Sequence, residues 1–331
     1  MLVILISFAS WIVVRWQSLK LVSFEVNGET RIGALLDGTI ADLTAAYAKY
    51  LSDVEGYVDA EDRALRELPP DMLQVIRLGD PAIEAMKKAE THIREIGGSP
   101  RSPSGRKIVY GIAEVRILKP IPNIGPVHMV GLNYGVYAES LGTKPPEHFC
   151  SFVKLPHVII GPEEPIIHPS ISTNVTAEAE LVVIIGKKAK RVSKSEALDY
   201  VFGYTVMNDV TDMEYMSKVP NCPAYYAIRA KNGDNFGPMG PCIVLKDSIR
   251  DPQNLDVRLR INGALVSEGN TSQMRYDIRS LIEIFSRYLT LNPGDAIATG
   301  SPGFRTIKPG DVVEAEVEGI GVLRNPVVAE G

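Results

Sequence analysis

The hydrophobic pattern changes period along the chain. From Lys20 it repeats every second residue: a strand-like Leu21 to Val26, the turn pair Asn27-Gly28, a second run from Thr30 to Leu36, and another turn at Asp37-Gly38. An Asn-Gly pair between two such runs predicts a hairpin, because both turn positions need positive φ. The period then lengthens to that of a helix. Leu43 to Leu51, Asp71 to Leu78 and Ala82 to Ile96 carry apolar residues three and four apart, and Gly97-Gly98 closes the last of them. Residues 97–107 are Gly, Ser, Pro, Arg and Lys, a composition that predicts a linker or exposed loop.

Beyond Pro120 short apolar runs take over: Leu181 to Ile185, Val201 to Met207, Cys242 to Leu245, Val257 to Ile261, Ala296 to Thr299 and Val312 to Val317. A single helix, Arg279 to Tyr288, interrupts them, and Asn262-Gly263 marks a second hairpin. The expected fold class is α+β, with a small N-terminal α/β domain over residues 1–118 and a β-dominated domain over residues 119–331. No fixed-period repeat is visible.

Composition narrows the partners. Of 331 residues 45% are apolar and 23% charged, which is ordinary for a globular chain. The net charge of -5, with no basic run interleaved with aromatics, argues against nucleic acid. Cys150, Cys222 and Cys242 are far apart and lack zinc-ligand spacing, so they are expected to be small buried hydrophobes in a reducing cytoplasm. The apolar opening from Leu2 to Val14 is shorter than the roughly 20 residues a spanning helix needs, and it lacks the basic start of a secretory signal. It reads as an extension packed on the first domain (residues 1–19), or as a membrane-associating or artefactual start; stable insertion is not expected.

Four segments carry candidate chemistry. Glu178 and Glu180, in Thr176-Ala-Glu-Ala-Glu-Leu, would project from one face of a strand, close enough to share an ion. Two glutamates on a solvated edge strand are the bland alternative. The run Leu181 to Ile185 weighs against it, because a strand buried on both faces does not begin with uncompensated carboxylates. Asp209, ending Gly203-Tyr-Thr-Val-Met-Asn-Asp, is either a third ligand or a turn residue. Three carboxylates suit a hard ion, Mg²⁺ or Mn²⁺, better than zinc. Lys231 beside a glycine-rich turn, and Thr299-Gly300 with a hydroxyl and an open N–H, could each meet a substrate carboxylate, although singly each is an ordinary surface or turn feature.

Taken together these segments resemble the fumarylacetoacetate hydrolase family. The matching pieces are Gly131 to Tyr134, Glu178 to Lys187, Gly203 to Asp209, Lys231 with Pro238 to Pro241, Asn262-Gly263, Leu291 to Pro302, and Pro309 to Glu314. The resemblance implies a C-terminal mixed β-roll, a homodimer, and metal ligands Glu178, Glu180 and Asp209. It also implies Lys231 as the active-site lysine, and Asn133, Thr299 and Gly300 as substrate contacts. The substrate would be a small 2-oxo or 2,4-dioxo acid, its enolate stabilised by the ion as a carbon–carbon bond breaks or a proton moves.

Departures from the family pattern bear on the reaction. Hydrolytic members place a His and, three residues on, a Glu after Asn-Tyr to activate water; here those positions are Tyr137 and Ser140, with Glu139 one residue out of register. This favours tautomerisation, isomerisation or decarboxylation over acylpyruvate-type hydrolysis, with Tyr137 as proton donor when a metal and Lys231 lower its pKa. Met213 and Met216 replace the family's Arg and Gln, and Ser267 a Gln, which predicts a bulkier or more apolar substrate tail. The alternative is a silent member kept for binding or regulation. His148, His157 and His168 are expected to be structural.

Overall fold

The structure is a computed structural model that describes residues 19–140, 142, 144, 146–218 and 228–331. The apolar opening and Cys222 lie outside the described residues. The first hairpin forms as its Asn-Gly turn predicts, with Asn27 and Gly28 both at positive φ. Strands Lys20–Val26 and Glu29–Leu36 pair in register from Leu21 opposite Ala34 to Val26 opposite Glu29. A third strand, Thr39–Asp42, extends the meander; it is too short to show a period.

Four helices follow: Leu43–Asp53, Ala60–Glu67, Met72–Leu78 and Asp80–Ile96. Asp42 starts the first by accepting the Ala45 N–H (3.0 Å) while holding Arg31 Nε at 2.7 Å. Ala60–Glu67 escapes the periodicity because it buries just Ala60 and Ala64. The expected loop at residues 97–107 is mostly exposed, yet it is fastened: Ser102 is buried and donates to Glu61 (2.6 Å), and Arg101 bridges to Lys107.

A single large sheet runs through both halves of the chain. Leu21 of the N-terminal meander pairs with Ile243 of strand Gly237–Leu245, which lies beside Val201–Asn208, Ala179–Ile185, Ala296–Ala298, Val127–Gly131 and Cys150–Lys154 in that order. Alternation along Ala179–Ile185 explains its unbroken apolar sequence. Val182 and Ile184 join the core that the N-terminal helices cover, and Leu181, Val183 and Ile185 join the core shared with a second sheet. That sheet orders Ala264–Asn270, Asp256–Ile261, Val312–Val317, Gly321–Ala329 and Ile166–His168. Its antiparallel pairs are the hairpin at Asn262-Gly263, Asp256–Ile261 with Val312–Val317, and Val312–Val317 with the closing strand, whose Arg324, Asn325 and Pro326 hide it from a periodicity search. Among the described residues no helix is long and apolar enough to cross a membrane.

Candidate active site

Two neighbouring strands gather the acidic groups. Glu178 and Glu180 flank Ala179 at the head of Ala179–Ile185, and Val201–Asn208 runs antiparallel beside them with Glu180 opposite Met207 and Ala179 opposite Asn208. The register continues past the ladder: the Asp209 N–H donates to the Glu178 carbonyl (2.9 Å), which brings the third carboxylate alongside. One oxygen from each of the three lies within 4.8 Å of the others, and all three residues are buried.

Two lysines answer this charge. Lys231 Nζ is 2.5 Å from Asp209 Oδ2 and 3.3 Å from Glu178 Oε1. Lys154, at the end of Cys150–Lys154, is wholly buried; its Nζ lies 3.0 Å from Asp209 Oδ1 and donates to the carbonyls of Val210 (2.9 Å) and Lys231 (2.5 Å). The sequence reading missed Lys154, whose one signal is a cation closing a strand that leads into the core. Burial pushes its ammonium down to about 8, against the raising pull of Asp209. For Lys231 burial works downward too, but Asp209 and Glu178 outweigh it and hold the ammonium above the usual lysine value.

The carboxylates divide accordingly. Burial would raise Asp209, but the two lysines hold it below the ordinary range. Glu178 is raised by burial despite Lys231, and the Thr211 hydroxyl donates to it (3.0 Å). Glu180 is raised furthest, by burial and then by the neighbouring Asp209 and Glu178; the Gly300 N–H donates to it (2.8 Å) and Lys231 pulls weakly the other way. Asp209 Oδ1 receives no directed hydrogen bond even with Lys154 at ion-pair distance. Three hard oxygen donors, one with an open acceptor position and one carboxylate without a hydrogen-bonded cation, fit a divalent ion.

Three expected substrate contacts have other partners. Asn133 is buried; its Nδ2 donates to the carbonyls of Thr299 (2.8 Å) and Tyr276 (3.1 Å), and its Oδ1 accepts the Tyr276 N–H (2.9 Å). The Thr299 hydroxyl donates to Leu181 C=O (3.0 Å). The Gly300 N–H, expected to meet substrate, meets Glu180 instead. Gly300 has φ +92, and a Cβ there would sit 2.8 Å from Asn133 Cβ, so glycine is needed for this close approach. These residues orient the acidic cluster from behind.

Tyr137, on the short helix Gly135–Ser140, does face the cluster. Its ring packs edge-on against Phe304 (centroids 5.3 Å apart) and its hydroxyl hydrogen-bonds Glu178. Without a bound ion, burial, then Glu178 and Asp209, push the phenol well above its ordinary value, so any lowering would have to come from a metal together with Lys231. The Ser140 side chain lies outside the described residues. Glu139 is exposed and does not line the cavity, so it does not stand in for a base.

The cluster forms the floor of a cavity of about 660 Å³, with Met213 and Met216 in its wall as the sequence predicts. Ser267 lies apart, against Gly303. No described histidine lines the cavity. Cys150 does line it and is exposed, contrary to the expectation of a buried thiol, because its strand is the last in the sheet; Cys242 is buried as expected.

The sequence model for the C-terminal domain of fumarylacetoacetate (FAA) hydrolase matches residues 127–328. The chain belongs to the fumarylacetoacetate hydrolase family. It is 35% identical over 269 residues to a mitochondrial oxaloacetate tautomerase of Xenopus laevis, covering 79% of each chain. It is 41% identical over 224 residues to an Escherichia coli bifunctional isomerase/decarboxylase of 4-hydroxyphenylacetate degradation, covering 66% of this chain but 51% of that one. The chain therefore spans about half the length of that relative. Among solved structures, the fumarylacetoacetate hydrolase of Exiguobacterium antarcticum superposes with a TM-score of 0.71 at 29% identity, over 95% of this chain and all of that one. A maleylpyruvate hydrolase of Sphingobium, solved with manganese(II) and pyruvate, gives 0.69 at 25% identity, over 95% of this chain and all of that one.

Lys154→Met tests the buried cation. The change keeps the stem but leaves Asp209 Oδ1 and two backbone carbonyls without it, so urea unfolding should show a loss of about 3–5 kcal/mol. Unchanged stability would show that Lys154 is not needed to hold the cluster.

Proposed function

We propose that this chain is a divalent-metal-dependent enzyme that tautomerises, isomerises or decarboxylates a small 2-oxo acid through an enolate. The observation that carries this reading is the buried Glu178, Glu180 and Asp209 cluster at the floor of an open cavity, beside Lys231 and the protonated phenol of Tyr137. Relatives named as a tautomerase and an isomerase/decarboxylase support it, as does a structural neighbour solved with manganese and pyruvate. Retention of all three carboxylates speaks against a silent family member.

Glu178, Glu180 and Asp209 would hold Mg²⁺ or Mn²⁺, which when bound supplies Lewis-acid stabilisation of negative charge on the 2-oxo group. The chain's own residues do the rest. Lys231 keeps its proton throughout, so its ammonium offsets the charge of the developing enolate without reorganising. Tyr137 keeps its proton in the ion-free site, so it is not a base, and it would become a donor once a bound ion and Lys231 lower its pKa. Its hydroxyl, held by Glu178, can pass a proton to the enolate carbon. Neither a histidine nor a free carboxylate among the described lining residues is placed to activate water, and this favours proton transfer or decarboxylation over hydrolysis.

Three measurements test this reading. Glu178→Ala should weaken Mn²⁺ binding about 100-fold or more and abolish turnover with the circular dichroism spectrum unchanged; full activity of that variant in excess chelator would remove the metal. Lys231→Met should lower the turnover number on the order of 100-fold, whereas an effect confined to the Michaelis constant would make Lys231 a binding residue only. Proton NMR of the Mg²⁺-loaded protein with acylpyruvate, oxaloacetate and a 2-hydroxymuconate-type dienoate should show isomerised or decarboxylated product from at least one of the three, formed about 100-fold more slowly by Tyr137→Phe. Hydrolysis of acylpyruvate at a rate indifferent to Tyr137→Phe would make the enzyme an ordinary hydrolase.

A further inference from the structure

We infer that the cavity is built for a 2-oxo monocarboxylate with an apolar tail, and that it discriminates against substrates carrying a second carboxylate at the far end. The inference rests on the reading above, in which the acidic floor with Lys231 receives the 2-oxo acid head. What it adds comes from the walls.

Charge in this cavity is confined to the floor. Glu178, Glu180, Asp209 and Lys231 are all buried, whereas the walls rise through Phe152, Met213 and Met216 to Val153, Leu155 and Ile228, which are 38%, 36% and 61% exposed. Exposure thus orders the lining from a charged interior to an apolar mouth. Lys231 is the one cation among the described lining residues, and it is already held by two carboxylates.

The cations nearest the mouth in sequence are engaged elsewhere. Lys218 pairs with Glu214 at 2.5 Å, and the Arg229 guanidinium lies over the Tyr215 ring at 5.8 Å. Residues 219–227, between the two, include no charged residue in the sequence. Two of the polar wall groups, Asn232 and Ser301, are engaged as well. Asn232 donates to Val153 C=O (3.1 Å) and accepts the Leu155 N–H (2.6 Å), and the Ser301 hydroxyl donates to Gly303 C=O (2.6 Å).

A distal carboxylate would lose water at this wall and find no free cation among the described lining residues to replace it. An alkyl or aryl tail would instead bury apolar surface, gaining about fourfold in affinity per buried CH₂. Two methionines suit this task, because their unbranched side chains repack around tails of different shape. The 660 Å³ volume lies in the range of sites that enclose whole drug-sized ligands, leaving ample room beyond a three-carbon head.

The test uses binding and not turnover, with matched unreactive acids displacing one another on Mn²⁺-loaded protein in a calorimeter. Pyruvate reports the head alone, 2-oxohexanoate adds an apolar tail, and 2-oxoadipate ends a chain of the same length in a carboxylate. The expected result is that 2-oxohexanoate binds at least about tenfold more tightly than pyruvate, with 2-oxoadipate no tighter than pyruvate. Pyruvate binding with 2-oxoadipate equal to or better than 2-oxohexanoate would overturn this inference and leave the proposed function standing. Failure of all three acids to bind would overturn both. Met213→Arg should bring 2-oxoadipate at least level with 2-oxohexanoate; a variant that still prefers the apolar tail tenfold would show that a missing cation is not what excludes the second carboxylate, and would overturn the inference.

Discussion

Burying Glu178, Glu180 and Asp209 within 4.8 Å of one another creates a charge problem that no single residue can solve. Each carboxylate taken from water loses hydration worth several kcal/mol, and each also repels the other two. The surrounding structure meets the two costs unevenly. Asp209 is stabilised as an anion by two ammonium groups, Glu178 by one and by the hydroxyls of Thr211 and Tyr137, and Glu180 by the Gly300 N–H with a weaker pull from Lys231. The gradient leaves the deficit at one side of the cluster, where a cation added from solution would have the most to gain.

Much of the fold serves to hold that arrangement still. The two central strands set the spacing of the acids, and their apolar residues lock them between two cores, so the cluster sits on rigid backbone and not on a loop. Asn133 ties the segment after Val127–Gly131 to the turn at Tyr276 and to Thr299, and Gly300 carries the N–H that orients Glu180. Lys154 does the same from the opposite side, joining the end of Cys150–Lys154 to the backbone of Val210 and Lys231. The lysine that lines the cavity is thus positioned partly by the lysine that does not.

Legibility in the sequence followed from how local each signal was. The hairpin at Asn27-Gly28 and the helix ending at Tyr288 are set by turn chemistry and period, and both were readable. So was the acidic pair, because an apolar run on both faces makes an adjacent pair of glutamates costly without compensation. Lys154 was not, since a lone lysine at a strand end looks the same whether it meets solvent or a buried aspartate. The same limit applied to Gly300 and Asn133: spacing shows that a donor is available, but not whether substrate or a neighbouring carboxylate receives it. For Tyr137 the burial and three nearby carboxylates that raise its pKa could not be read from the sequence, because their sum is a property of the assembled site.

The pairing of Leu21 with Ile243 has a consequence for how the chain reaches this state. The meander and its helices leave the ribosome early, but the strand that covers the first part of Lys20–Val26 comes more than 200 residues later in the chain. Until Gly237–Leu245 emerges, the nascent half presents an open sheet edge and apolar residues such as Leu21 and Ile32 that later belong to a shared core. Completion of the sheet is therefore a long-range closure, slow by topology. The interval before it is when this unpaired edge is most open to aggregation, and when a second nascent copy could supply the missing strand in place of its own.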